Sequence, residues 1–100
     1  MPDPTEAVDD RVLQLRGRGQ AYARISRDLG LGRAADAQRA FRRALGRLPS
    51  PDAERVRGEE RSRLDRLAER VRADVTSDDA ARQHRLEAIA RMRSRIGEDS

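Results

Sequence analysis

Apolar residues recur along this chain at spacings of three and four, which is the pattern of amphipathic helices. No alternating strand pattern occurs, and β-branched residues do not cluster. Glycine and proline positions divide the pattern into five predicted helices, at about residues 5–15, 20–29, 33–47, 51–74 and 78–96. The sequence therefore predicts an all-α protein.

The first three predicted helices share one apolar core within residues 1–48. Thr5 is the predicted N-cap of the first helix, and Gly30 is predicted to end the second helix in the left-handed conformation of a C-cap. Ser26 lies beside the apolar stripe of the second helix. The side chains expected to form the core are Val8, Val12, Leu15, Tyr22, Ile25, Leu29, Ala34, Ala37, Ala40, Phe41, Ala44, Leu45 and Leu48.

Residues 49–97 are predicted to form a helical hairpin that serves dimerisation or partner docking. Ser50 is the predicted N-cap of the fourth helix, and Thr76 or Ser77 that of the fifth. Each helix has only a narrow apolar stripe, so an antiparallel hairpin would leave apolar surface that packs on the first three helices or on another copy of the chain. Residues 98–100 are expected to fray. The residues predicted for the dimer or partner interface are Leu64, Leu67, Val71, Leu86, Ile89, Met92 and Ile96.

Charge is distributed unevenly along the chain. Residues 1–10 carry a net charge of −4, residues 11–48 of +8 and residues 49–100 of zero. All 22 basic residues are arginine; a GC-rich genome would explain arginine in place of lysine, but not this placement. A basic domain is the electrostatic footprint of a polyanion-binding protein, so residues 11–48 are the predicted binding region.

The stretch Gly-Gln-Ala-Tyr-Ala-Arg-Ile-Ser-Arg-Asp-Leu-Gly-Leu, residues 19–31, resembles the helix-turn-helix of bacterial DNA-binding domains of the homeodomain-like or sigma-factor-like kind. The resemblance covers about residues 11–48 and implies a three-helix domain whose third helix enters the major groove of DNA. Three features of the stretch depart from the helix-turn-helix pattern. Ser or Thr is missing at both helix starts, the core register of the third helix is shifted, and Asp36 lies in its first turn.

The resemblance also implies which residues contact DNA. Groove contacts are expected from Arg33, Gln38, Arg39 and Arg42, with Arg43 and Arg47 nearer the backbone. Phosphate contacts are expected from Arg18, Arg24 and Arg27.

Two classes of function follow from these observations. The first is a small DNA-binding protein, either a transcriptional regulator or a nucleoid-type architectural protein, acting as a homodimer on double-stranded DNA; a monomeric five-helix bundle is the alternative state. The second is a protein-protein adaptor, antitoxin-like or associated with RNA polymerase, that docks a partner through residues 51–96. RNA binding is a third option. The chain has only two aromatic residues, and this scarcity argues against stacking on the bases of single strands.

No pattern in the sequence indicates catalysis, a cofactor or a metal site. The chain has no cysteine, and its single histidine, His84, lies among arginines on a charged helix. Adjacent acid pairs such as Asp9 and Asp10 are expected to be caps or surface charge, because neighbouring residues point to different sides of a helix. No stretch approaches the roughly 18 apolar residues of a membrane span, and the acidic N-terminus does not resemble a signal peptide. The expected location is the cytoplasm, in association with the nucleoid.

Overall fold

The computed structural model describes residues 3–98, with the side chains of residues 3–96, and this part of the chain contains α-helices and no strand. The all-α prediction is confirmed. The helices are α1 (Pro4–Gly17), α2 (Tyr22–Leu29), α3 (Ala34–Gly46), α4 (Ser50–Ala73) and α5 (Asp79–Glu98). Residues 99 and 100 of the predicted frayed tail lie outside the described part. The chain divides into two compact units, Met1–Ala53 and Glu54–Ser100, and the division falls within α4.

The first unit is built around α3, which packs against both α1 and α2. Its buried apolar side chains are small or aliphatic apart from one ring, Phe41. Because Ala37, Ala40 and Ala44 form a stripe along α3, the neighbouring helices can approach it closely. The other buried apolar residues of this unit are Val12, Leu15, Ile25, Leu45 and Ala53.

The helix ends of the first unit follow local sequence rules. The N-cap of α1 is Asp3, whose Oδ1 accepts a hydrogen bond from the Thr5 backbone N–H at 2.7 Å. The prediction of Thr5 as the cap is wrong, because Pro4 occupies the first turn and leaves the residue before it as the cap. Gly30 ends α2 with φ +67°, as predicted, and Ala21 begins α2 without a side-chain cap.

One predicted core position of α1 is also wrong. Val8 is 38% exposed, whereas its neighbour Asp9 is 1% exposed. Asp9 lies three residues before the buried Val12 and seven before the buried Arg16, so it shares their helical stripe. The expectation that Asp9 is surface charge is therefore wrong as well.

The second unit is held together by side chains from α4 and α5. Its buried cluster consists of Leu64, Ala68, Val71, Ile89 and Ile96, and three half-buried residues pack against it, Leu67, Leu86 and Met92. Arg93 Nε is 2.9 Å from Asp65 Oδ1. Arg85 Nη2 is 3.3 Å from Asp74 Oδ2. Asp74, directly after α4, thus pairs with Arg85 in the first half of α5, and Asp65 within α4 pairs with Arg93 in its second half.

The turn between α4 and α5 is organised by two aspartates. Asp74 accepts hydrogen bonds from the Thr76 N–H at 3.0 Å and from the Thr76 and Ser77 hydroxyls at 2.6 and 2.8 Å. These bonds hold the pKa of the Asp74 carboxyl well below its usual range. Asp78 Oδ1 accepts from the Ala81 N–H at 2.7 Å. Asp78 therefore caps α5, and the prediction of Thr76 or Ser77 as the cap is wrong.

Candidate nucleic-acid interface

The start of α3 is held by Asp36 rather than by a capping Ser or Thr. Asp36 Oδ2 accepts a hydrogen bond from the Arg33 backbone N–H at 2.9 Å, which is the reciprocal half of a capping box. This bond, helped by the nearby Arg39 guanidinium, lowers the pKa of Asp36. Gly32 has φ +101°, and a Cβ added there would lie 3.3 Å from Asp36 Oδ2. The Gly32 position and the acid in the first turn therefore belong to one capping arrangement.

The four residues predicted for groove contacts lie at the N-terminus or along the surface of α3. Arg33 is the exposed residue before the helix, and Gln38 is half-buried at the edge of its apolar face. Arg39 is exposed, and its Nη2 donates to Asp36 Oδ1. Arg42 is half-buried and forms no ion pair with a carboxylate of residues 3–96. Arg39 and Arg42 lie on the side of α3 away from the buried alanines.

The two arginines predicted to lie near the DNA backbone hold α3 to α1. Arg43 donates to Asp9 from Nε and from Nη2, each at 3.0 Å. Arg47 donates to Asp9 at 3.3 Å and to Asp10 at 3.3 Å. The paired guanidinium of Arg43 lowers the pKa of Asp9, and the carboxylate raises that of Arg43. Arg43 nevertheless keeps 50% of its side chain exposed, so the pair joins a buried anion to a cation at the surface.

The predicted phosphate-contacting arginines lie on and before α2. Arg18 is the exposed C-cap residue of α1, and Arg27 is exposed on α2. Neither forms an ion pair with a carboxylate in the part of the chain with described side chains. Arg24 differs, because its Nε lies 3.6 Å from Asp28 Oδ2 one turn later.

A further arginine, Arg16, orders the start of α2 and was not singled out by sequence reasoning. It is only 7% exposed. Its guanidinium carbon lies 4.1 Å from the centroid of the Tyr22 ring, and Nη1 donates to the Gln20 carbonyl at 3.0 Å. Tyr22 in turn meets Phe41 edge to face, with ring centroids 5.9 Å apart. The signal for Arg16 was its place one residue after Leu15, on the buried stripe that also carries Val12 and Asp9.

A cleft of about 400 Å³ lies between the first turns of α1 and the start of α3. Its lining surface is mostly apolar, and the charged residues that contribute to it are Asp9, Asp36, Arg39 and Arg43. The lining residues are Pro4, Thr5, Val8, Asp9, Leu31, Asp36, Arg39, Ala40 and Arg43. The two arginines are paired with the two acids, so the charges of this lining are balanced.

The residues predicted for a dimer or partner interface are largely used within the second unit. Leu64, Val71, Ile89 and Ile96 are buried in the cluster between α4 and α5. Leu67, Leu86 and Met92 are half-buried at its edge. A partner for this seam stays a prediction, and these last three residues are the ones that retain exposed surface.

Comparison of the chain with known proteins gives no indication of its function. No protein-family model, no curated protein and no solved structure matches the chain. In the described part of the chain no helix is long and apolar enough to span a membrane. Residues 3–96 also contain no group of three or more histidine, aspartate or glutamate side chains placed to hold a metal ion.

Proposed function

We propose that residues 1–53 form a helix-turn-helix unit that binds double-stranded DNA, followed by a helical hairpin of α4 and α5. The observation that carries this proposal is the outward face of α3. Ala35, Arg39 and Arg42 lie within one or two turns of each other on that face, opposite the buried alanines. An α-helix fits the major groove, where arginine binds guanine O6 and N7 through two hydrogen bonds. The small side chain of Ala35 allows the helix to approach the bases.

The connection between α2 and α3 supports the same reading. Residues 30–33 join the two helices, and Gly30 supplies the left-handed conformation that turns the chain. The Leu31 N–H donates to the Ser26 carbonyl at 2.8 Å, which closes the C-terminus of α2. Ser26 itself is buried, so its small side chain permits close packing.

The two outward arginines, Arg39 and Arg42, differ in whether a carboxylate already binds their guanidinium. Arg42 has no carboxylate partner among residues 3–96, so its donors are available to a base or phosphate. Arg39 is bound to Asp36 and must exchange that carboxylate for an acceptor on DNA. We therefore assign the larger share of groove affinity to Arg42.

We assign phosphate contacts to five arginines, which include Arg33, assigned to the groove from the sequence but lying before α3 in the structure; they are Arg18, Arg27, Arg33, Arg43 and Arg47. Arg43 is the best ordered of them, because Asp9 holds two of its nitrogens and leaves Nη1 for a phosphate. Holding the side chain in advance reduces the entropy lost on binding. The folded unit carries a net charge of only +3 over residues 1–53, since its acidic N-terminus is included. Five phosphate contacts correspond to a slope of about −4.5 in log K against log salt.

The test is fluorescence anisotropy with a labelled random duplex, titrated in salt. The full chain is expected to bind at low salt with a slope at least as steep as the value above, which counts the contacts of the first unit alone. Arg39→Ala/Arg42→Ala should weaken binding by about thirtyfold or more, since each of the two lost base contacts costs roughly 1–3 kcal/mol. The matched control is Arg55→Ala/Arg72→Ala, which removes the same charge from exposed arginines of α4 that are already paired with glutamates. Absence of duplex binding by the unmodified protein at low salt would rule out the proposal.

We extend the proposal to a homodimer, because one helix-turn-helix contacts few base pairs and a two-fold pair contacts two half-sites. The half-buried side chains of Leu67, Leu86 and Met92 are the surface offered for this pairing. Light scattering of the free protein and of its complex with duplex measures the number of chains directly. A single chain in both samples would restrict the proposal to a monomer.

A further inference from the structure

The second unit is close to neutral in sequence, but its arginines are not equally neutralised in the structure. Residues 54–100 contain twelve arginines. Eight of them form ion pairs with carboxylates, and they are Arg55, Arg57, Arg61, Arg63, Arg72, Arg82, Arg85 and Arg93. The other four form no ion pair with a carboxylate of residues 3–96, and they are Arg66, Arg70, Arg91 and Arg95.

The two unpaired arginines of α5 differ from those of α4 in their surroundings. Residues 88–95 include three arginines and no acid, and Glu87, one turn before Arg91, accepts a hydrogen bond from Gln83 Nε2 at 3.3 Å; Asp65 and Glu69 directly precede the two α4 arginines. From the buried Ile89, Arg91 is turned by about 160° around the helix and Arg95 by about 120°. Both are exposed, so they project away from the cluster that α5 forms with α4.

A concave surface of about 310 Å³ accompanies these two arginines. It is lined by Ala90, Arg91, Ser94 and Arg95. Ala90 and Ser94 are small, so they leave space beside the longer arginine side chains. The polar groups of these four lining residues are guanidinium donors and one hydroxyl, and the acid one turn before Arg91, Glu87, does not line the space.

We propose that this surface of α5, formed by Ala90, Arg91, Ser94 and Arg95, is a second contact with the DNA backbone. The proposal rests on the DNA binding proposed for the first unit. Arg91 and Arg95 are one helical turn, about 6 Å, apart along the axis. Phosphates of one DNA strand advance about 3.4 Å per nucleotide, so two long, flexible arginine side chains one turn apart can each reach a phosphate of the same strand. The contact adds affinity and no base preference, because phosphates carry no sequence information.

Charge and residue type favour duplex phosphates over other anionic partners. Both aromatic residues of the chain, Tyr22 and Phe41, lie in the first unit, so this surface has no ring on which single-stranded bases could stack. It also has no large apolar side chain that would enter a lipid bilayer, since Ala90 and Ser94 fill the positions between the arginines.

The experiment measures the salt dependence of duplex binding by the full chain carrying Arg91→Gln/Arg95→Gln. Removing two phosphate contacts should reduce the steepness of log K against log salt by about 1.8. The matched control is Arg66→Gln/Arg70→Gln, which removes the same charge from two exposed, unpaired arginines of α4. Circular dichroism of both variants shows whether the helices are retained, as expected for exposed positions.

Each outcome decides the proposal. A reduced slope in the α5 variant with an unchanged slope in the α4 variant supports it. Unchanged slopes in both, or equal reductions in both, overturn it and leave the DNA binding of the first unit intact. Failure of the unmodified chain to bind duplex overturns both proposals. Retained duplex binding with a loss of binding to vesicles of phosphatidylcholine and phosphatidylserine in the α5 variant assigns the surface to lipid and overturns the DNA contact.

Discussion

Replacing Asp9 by asparagine tests the ion pairs that join α1 to α3. Asp9 is 1% exposed and receives three hydrogen bonds from two arginines. Breaking a fully buried pair costs about 3–5 kcal/mol, because a charge is left without compensation. Here the cations left behind reach water, since Arg43 is half exposed and Arg47 about a third exposed. Asparagine also keeps one acceptor oxygen. We therefore expect a loss of about 2–3 kcal/mol, from charge-assisted bonds of about 1.5–3 kcal/mol each.

The fluorescence of Tyr22 reports this loss for the first unit alone. It is the one tyrosine of a chain without tryptophan, and its ring contacts Arg16 and Phe41. The expected loss lowers the melting temperature by about 10–20 °C for a domain of this size. Urea unfolding gives the free energy directly.

Two further variants sharpen the result. Asp10→Asn removes a mostly exposed carboxylate with one ion pair, so it should cost less than about 1 kcal/mol. Arg43→Met leaves Asp9 buried with Arg47 as its remaining partner in the pair network, so it should cost at least as much as Asp9→Asn. If Asp9→Asn and Asp10→Asn unfold with free energies within about 0.5 kcal/mol of each other, the reasoning about burial is refuted.

Other consequences can be measured with the same probes. The pKa of Asp9 is lowered in the folded state, so the stability that the Asp9 carboxylate contributes is complete above the unfolded pKa of about 3.9 and is lost as the pH falls through the lower folded pKa. Asp9→Asn should therefore remove this part of the acid sensitivity of the unfolding transition that Tyr22 fluorescence reports. Gly32→Ala should lower the free energy of unfolding by about 1–2 kcal/mol, because φ is +101° and the new Cβ meets Asp36. Gly58→Ala within α4 meets open space, so it should raise the free energy of unfolding by about 0.5–1 kcal/mol. An equal effect of the two substitutions would contradict the backbone argument. Ser26→Ala should stabilise by about 1 kcal/mol in urea unfolding, since the buried Ser26 hydroxyl has no hydrogen-bond partner in the described part of the chain, and a loss of stability would show that it has one.

Helix positions and the apolar stripes could be predicted because both depend on local spacing. The predicted helix boundaries agree with the observed ones to within two residues at every end, and Gly30 ends α2 as expected. The errors at the caps were also local. Pro4 indicates that Asp3 is the cap, and Asp78 directly before α5 outcompetes the weaker hydroxyl caps Thr76 and Ser77.

The candidate site was harder to predict, because its charges are paired across the fold. The partner of Asp9 is 34 residues away, so no spacing rule connects it to Arg43. Counting charges along the chain separated the acidic N-terminus from the basic segment, whereas folding brings the two together. Asp36 departs from the helix-turn-helix pattern as an acid in the first turn of α3, and it is the group that caps α3 and binds Arg39. The exchange of Asp36 for an acceptor on DNA, which we propose for Arg39, depends on this bond, and composition does not reveal the bond.

The bond between Asp9 and Arg43 also has a consequence for synthesis of the chain on the ribosome. At about 5–20 residues per second, Arg43 follows Asp9 after roughly 2–7 s. During that interval α1 has no α3 to pack against, and an isolated helix of its length is marginal in water. Residues 4–17 therefore leave the ribosome before the helix on which they pack has been made. The first unit closes only when α3 has been made, so the third of its helices completes the packing of the first two.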